Sequence, residues 1–173
     1  FRAAAAVRVD GQGQFDPVPW ALDLAAEVQE LGGTVITRVR ATGVDDGATG
    51  VTLHTDGGEV RARWVLAATG LPFLDRGGFF ARAEPQASYI IACRVEQMPP
   101  SGTYLAADSS APSLRTARDR DGRELLLVGG ESHKTGQGGS TLDHYRALER
   151  WAAQNLGLRE ITHRLMTEDF MTP

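Results

Sequence analysis

Apolar positions in the first seventy residues switch between the spacing of strands and that of a helix. Residues 3–10 read as a short strand, and Gly11 and Gly13 then suggest a turn. Asp16 suits a helix N-cap and Pro17 the first helical position, where its missing N–H costs nothing. Trp20, Leu24, Val28 and Leu31 follow on one face at helical spacing, which predicts a helix ended by Gly32 and Gly33. Residues 34–44, rich in Val, Ile and Thr, read as a strand and 45–50 as a turn. Further strands are expected over 51–55 and 60–68, around the tight turn 56–58. The last of these, RWVLAATG, is almost continuously apolar, the pattern of a strand buried on both faces in a parallel sheet.

Pro72, Gly77 and Gly78, with a change of composition near residue 75, divide the chain into parts 1–75 and 76–173. The second part reads as a strand over 88–95, a proline-bearing loop over 98–102 and short strands over 103–106 and 113–116. A charged turn over 117–123 and a strand over 124–129 follow. Ser140 is then placed to cap a helix reaching Asn155, with Asp143 as capping-box partner and Leu142, Tyr145, Leu148 and Ala152 on its inner face. Gly157 closes that helix, and 160–170 reads as a final strand. Strands followed by one packed helix make an α+β pattern, set against the α/β pattern of the first part.

Composition narrows the classes of partner. A net charge of −4, a pI near 5.6 and no dense basic cluster exclude a nucleic-acid footprint. No apolar run approaches the roughly 20 residues of a spanning helix, so no membrane partner is expected. The single cysteine, Cys93, lies in the apolar run YIIACRV and reads as a small buried strand residue, which fits a reducing cytoplasm. The chain opens on Phe1 and closes on Pro173 with neither a terminal helix nor a stop signal for its last strand, so a piece of a longer protein is expected.

The richest stretch for chemistry is 125–139, LLLVGGESHKTGQGG, where an apolar strand runs into a glycine-rich loop holding His133 and Lys134. A phosphate-binding loop needs glycine immediately before its lysine, and His133 stands there instead. Gly11 and Gly13 begin like a dinucleotide-binding turn, but Asp16 occupies the place of the third glycine and would repel a pyrophosphate. The four histidines show no metal-ligand spacing; His54 and His144 read as surface residues and His163 as a strand residue. Glu131 and Asp169 carry no pattern that separates them from solvated charges. His133 and Lys134, at a strand end with glycine on both sides, read as a site or as an exposed polar loop.

The order of FDP with its helix, TVITRVRATGV, a hairpin and RWVLAATG resembles the middle of the FAD-dependent amine and amino-acid oxidoreductases of the D-amino-acid oxidase superfamily. PFLDRGGFF, ASYIIACRV, LLLVGGESHKTGQGG and ITHRLMTEDFMTP resemble the substrate-binding region of the same proteins, which include glycine oxidase and sarcosine oxidase. The likeness is greatest to a bacterial branch in which a flavin domain can precede a Rieske iron–sulphur domain. It implies a partial, Rossmann-like FAD-binding domain over 1–75 joined to an antiparallel-sheet substrate domain over 76–173.

Residue by residue, the resemblance implies that Val39 offers its backbone to the adenine of FAD. Ala68, Thr69 and Gly70 would close the FAD-facing strand, and His133 would lie beside the flavin ring as the catalytic residue. Ser113 and Arg115 would line the substrate pocket. An amino-acid substrate needs a cation for its carboxylate, and Lys134 or Arg115 could supply it. The lysine that some members place four residues before the histidine, to help oxygen react, is Gly129 here. The family's strand–GxGxxG–helix unit and its C-terminal D-G-x-P-x-I-G segment are absent, so the partners expected are an amine or amino-acid substrate and the missing N- and C-terminal segments. The chain alone is expected to be inactive and to bind FAD weakly or not at all. A non-catalytic small-molecule or interaction module, and less directly a nucleotide-phosphate hydrolase using Lys134, are the rival expectations.

Overall fold

The computed structural model describes residues 5–74, 77–107 and 111–171. The chain divides into two compact units, Arg2–Asp75 and Arg76–Pro173; the expected boundary itself lies outside the described residues.

The first unit holds α1 (Pro17–Glu30) and an antiparallel meander of β1 (Ala41–Gly47), β2 (Gly50–Thr55) and β3 (Gly58–Ala62), in that spatial order. Asp16 caps α1 as its side chain accepts from Val18 N at 3.0 Å, and Gly32 ends the helix at a φ of +86°. Yet no residue of α1 is buried, and the face of Trp20, Leu24, Val28 and Leu31 stays 41–82% exposed.

Three strand expectations fail in this unit. From Ala5 to Asp10 there is no strand, and the start of that segment lies outside the described residues. The strand expected over 34–44 begins only at Ala41, because Arg38 turns the backbone to φ 61 and the Asp56 side chain holds Arg40 N at 2.9 Å. The strand expected over 60–68 stops at Ala62. Trp64 and Leu66 beyond it are 86% and 92% exposed, because no described strand pairs with this run.

The second unit is an antiparallel sheet with a helix on one face. After the single turn α2 (Phe79–Arg82) come β4 (Glu84–Val95), β5 (Thr103–Tyr104), β6 (Ser113–Arg118), β7 (Glu124–Lys134), α3 (Thr141–Leu156) and β8 (Leu158–Met171). The sheet order is β5-β6-β7-β4-β8. Tyr145, Leu148, Ala152 and Leu156 of α3 form the core with Tyr89, Ile91 and Cys93 of β4, Leu114 of β6, and Leu126 and Val128 of β7. The alternate positions of each strand therefore face α3, as the pleat requires. Leu142, expected on the inner face, is 58% exposed. Ser140 makes no side-chain cap, and only its carbonyl accepts from Asp143 N. Gly157 ends α3 at a φ of +67°.

Cys93 lies wholly inside the core, and burial pushes its thiol up to about 11. At the far end of the sheet Arg94 binds Asp119 at 2.7 Å and Glu160 at 3.2 Å, tying β4 to the β6–β7 turn and to β8. The Arg94 guanidinium and the amide of Arg123 hold Asp119 below the usual carboxylate range. The fold is mixed α/β and α+β with antiparallel sheets.

Candidate active site

The site begins with a miscount in the β4–β7 ladder. Tyr89 faces Gly130 and Ala87 faces His133, so one residue of β4 stands opposite two of β7, Glu131 and Ser132. This is a β-bulge, and Glu131 sits in it at φ 58. A bulge of this kind ordinarily takes glycine there, because a side chain in the left-handed region costs about 1–2 kcal/mol.

The extra residue reverses the alternation of the strand. Leu126, Val128 and Gly130 face α3, and without the bulge Ser132 would follow them. Instead Ser132 meets Ser88 at 2.6 Å on the opposite face, and His133 turns toward the helix. The loop expected at 130–139 is thus strand as far as Lys134, and its chemistry depends on the bulge.

Four ring or acid groups gather on the helix side. The His133 Nδ1–H donates to the carbonyl of Lys134 at 2.8 Å, so in the neutral ring Nε2 accepts from the Tyr89 hydroxyl at 3.0 Å. His144 of α3 stacks on both, its centroid 4.6 Å from Tyr89 and 4.6 Å from His133. His144 Nε2–H donates to Gly138 O at 2.7 Å, and its Nδ1 stands 3.2 Å from Glu131 Oε2. With a proton on Nδ1 that contact is an ion pair. His144, expected on the surface, has only 15% of its side chain exposed. The loop after β7 closes over this group: Thr135 N bonds to Pro85 O at 2.9 Å, and a Cβ at Gly138 would overlap the His133 ring. Only glycine fits there.

Beside the cluster is a cavity of about 690 Å³ between the end of β6, strands β4 and β7, and α3. Ser88, Ser113, Glu131, Ser132 and His144 give it polar groups; Ile90, Leu105, Pro112, Leu148 and Trp151 give it apolar walls.

The expected site residues are thereby sorted. Ser113 lines the cavity and its hydroxyl donates to Gly129 O at 3.1 Å. Arg115 follows it on the same face of β6 but is not among the lining residues. Lys134 turns away from His133 and binds Glu84 at 2.8 Å. His133 contacts the cluster rather than the cavity wall. Glu131, His144 and Tyr89 were not singled out as a group by the sequence; a non-glycine residue following Gly129 and Gly130 was the available signal, and the pairing that makes a bulge is not visible in one strand.

In the first unit, Val39 is partly exposed in the irregular segment before β1, beside the Arg40–Asp56 turn, and its backbone has no hydrogen-bond partner among the described residues. Ala68, Thr69 and Gly70 are exposed, with Gly70 at φ +72° and nothing within 4 Å of a Cβ built on it. Accessible backbone at Val39 and Gly70 fits edge-on contact with a nucleotide. Asp16 at the start of α1 does not fit a pyrophosphate.

With the sheet, the bulge and the cavity in view, the relationship is clear. The family of FAD dependent oxidoreductases designated DAO matches residues 2–166, and this chain belongs to it. A Bacillus subtilis (strain 168) protein provisionally named as the Rieske 2Fe-2S iron-sulfur protein YhfW is 29% identical over 168 residues, 96% of this chain. That match covers 33% of the relative, so the chain spans about a third of its length. Among solved structures, glycine oxidase from Geobacillus kaustophilus superposes with a TM-score of 0.59 at 16% identity, over 88% of this chain and 41% of that one. A flavoprotein/dehydrogenase from Cytophaga hutchinsonii gives 0.61 at 15% identity, over 93% and 44%. At these identities the likeness is one of fold.

Proposed function

We propose that this chain supplies most of the substrate-binding region of an FAD-dependent oxidoreductase that oxidises an amine or amino acid by hydride transfer. The first unit would contribute the middle of the FAD-binding domain and the second the substrate domain. The observation that carries this reading is the cavity at the bulge of β7, lined by Ser88, Ser113 and Glu131 of the sheet and His144 of α3. Val39 and the Ala68–Thr69–Gly70 turn are the positions proposed to hold FAD, which when bound supplies the acceptor for a hydride from the carbon next to nitrogen.

The chain's own part is binding and orientation. Apolar walls offer contact to substrate carbons, the serine hydroxyls offer hydrogen bonds, and the His133–Tyr89 bond fixes a ring pair behind the wall. His133 is proposed to set the orientation and protonation of the substrate amine, acting through Tyr89 and His144. In the full-length protein, His133→Ala should slow anaerobic flavin reduction by amines at least tenfold while FAD content stays the same. An unchanged rate removes His133 from the site, and a full-length protein without flavin removes the oxidoreductase reading. The relative's name adds a Rieske cluster to the proposal for the parent, which iron content and an electron paramagnetic resonance signal of the reduced protein would test.

A further inference from the structure

Glu131 is the one acidic side chain lining the cavity among the described residues, and it is held at φ 58 where glycine would be relaxed. The fold therefore carries a carboxylate at a position where it would be more stable without one. Its contact with the protein is through Oε2, to His144 Nδ1 at 3.2 Å.

Among the described residues, the cationic groups nearby are committed. His144 spends its second nitrogen on Gly138 O, so no N–H remains for an anion entering the cavity. Lys134 is not among the lining residues and pairs with Glu84 at 2.8 Å. The cavity thus offers on its polar wall a carboxylate whose Oε2 is held by His144 and whose Oε1 has no partner among the described residues, and the indole of Trp151 on its apolar wall. A carboxylate attracts an ammonium ion, and so does the negative face of an aromatic ring.

We propose that Glu131 is the specificity-determining residue of this cavity: its carboxylate receives the ammonium group of a small organic cation, and His144 is the positioning residue that fixes the carboxylate. The proposal rests on the reading of this cavity as the substrate site, and it goes further in naming the residue and the charge that select the ligand. It also reverses the polarity expected from Lys134, since the charged group the described residues bring to the wall for a ligand is a carboxylate and not an ammonium or guanidinium.

Three probes of one shape separate the charges: 3-methylbutylamine, 3-methylbutanol and 3-methylbutanoate, titrated calorimetrically into the full-length FAD-loaded protein at pH 7. The amine should bind at least tenfold tighter than the alcohol, and the carboxylate weakest. Glu131→Gln should remove at least tenfold of the amine's affinity and leave that of the alcohol unchanged. Glu131→Gly relaxes the backbone, so it should show the same loss with an equal or higher Tm, which separates the lost carboxylate from a lost fold. His144→Gln should weaken amine binding less than either, and His144→Asn, which keeps a donor nearer the backbone, should restore part of the loss. Absence of amine binding, equal binding to the wild type and Glu131→Gln, or tighter binding of 3-methylbutanoate would overturn the proposal. Amine binding that depends on Glu131 without anaerobic bleaching of the flavin would leave Glu131 its role and remove amine oxidation instead.

Discussion

The two units contrast in what they bury. In the second, α3 and three strands close on a core of ten residues that includes Ile91, Leu126 and Leu148. In the first, no described residue is buried, although α1 has a proper cap, a proper stop and an apolar face. Local signals decide whether a helix forms, while burial needs a second surface, and most helical stability comes from that packing. The same lesson applies to strands: β4 keeps its apolar run because β7 and β8 flank it, whereas the run through Trp64 and Leu66 has no strand neighbour among the described residues.

The largest test of this contrast is to separate the units. Residues 77–171 expressed alone should unfold in one cooperative thermal transition, and residues 5–74 should show none; a cooperative melt of the smaller piece would break the comparison. Within the full chain, Leu148→Ala should cost about 2–5 kcal/mol by denaturant titration. Leu24→Ala, on the uncovered face of α1, should stay within about 0.5 kcal/mol. Equal costs would mean that α1 is covered in solution.

The smallest effect concerns the meander. His54 of β2 lies 2.8 Å from Asp45 and 3.3 Å from Glu59, and its pKa is raised above 6.5, first by the hydrogen bond to Asp45. A raised folded-state value means that the contribution is full below pH 6.5 and is lost as pH rises through the higher value. Amide exchange in β1–β3 should therefore quicken on going from pH 6 to pH 8, after correction for intrinsic rates. His54→Gln should abolish that dependence.

Much of the second unit was legible in the chain. Gly157, the apolar spacing of Tyr145, Leu148 and Ala152, and the runs that became β4, β7 and β8 each carry a local cause for the element observed. Leu142 was misplaced because helical spacing gives a face but not its width. The candidate site was half legible: glycines at 129 and 130 and the histidine at 133 mark the place. The partners Tyr89 and His144, 44 and 11 residues away from His133, become neighbours only through strand register and helix packing. In the first unit the caps of α1 and the β2–β3 turn were readable. The strands over 34–44 and 60–68 were overextended because β propensity expresses packing against neighbours and not an intrinsic preference of the backbone.

The bulge at Glu131 has a consequence beyond the backbone. A strand alternates sides like a two-letter code, and one extra residue shifts the reading frame of everything after it. Removal of Ser132 would leave one residue of β7 opposite Ser88 and close the bulge: the ring at 133 would stay toward the helix and the ammonium at 134 on the side of Glu84. A single-codon deletion would thus erase the bulge and return Glu131 to ordinary strand alternation, while every residue after it keeps its side of the sheet.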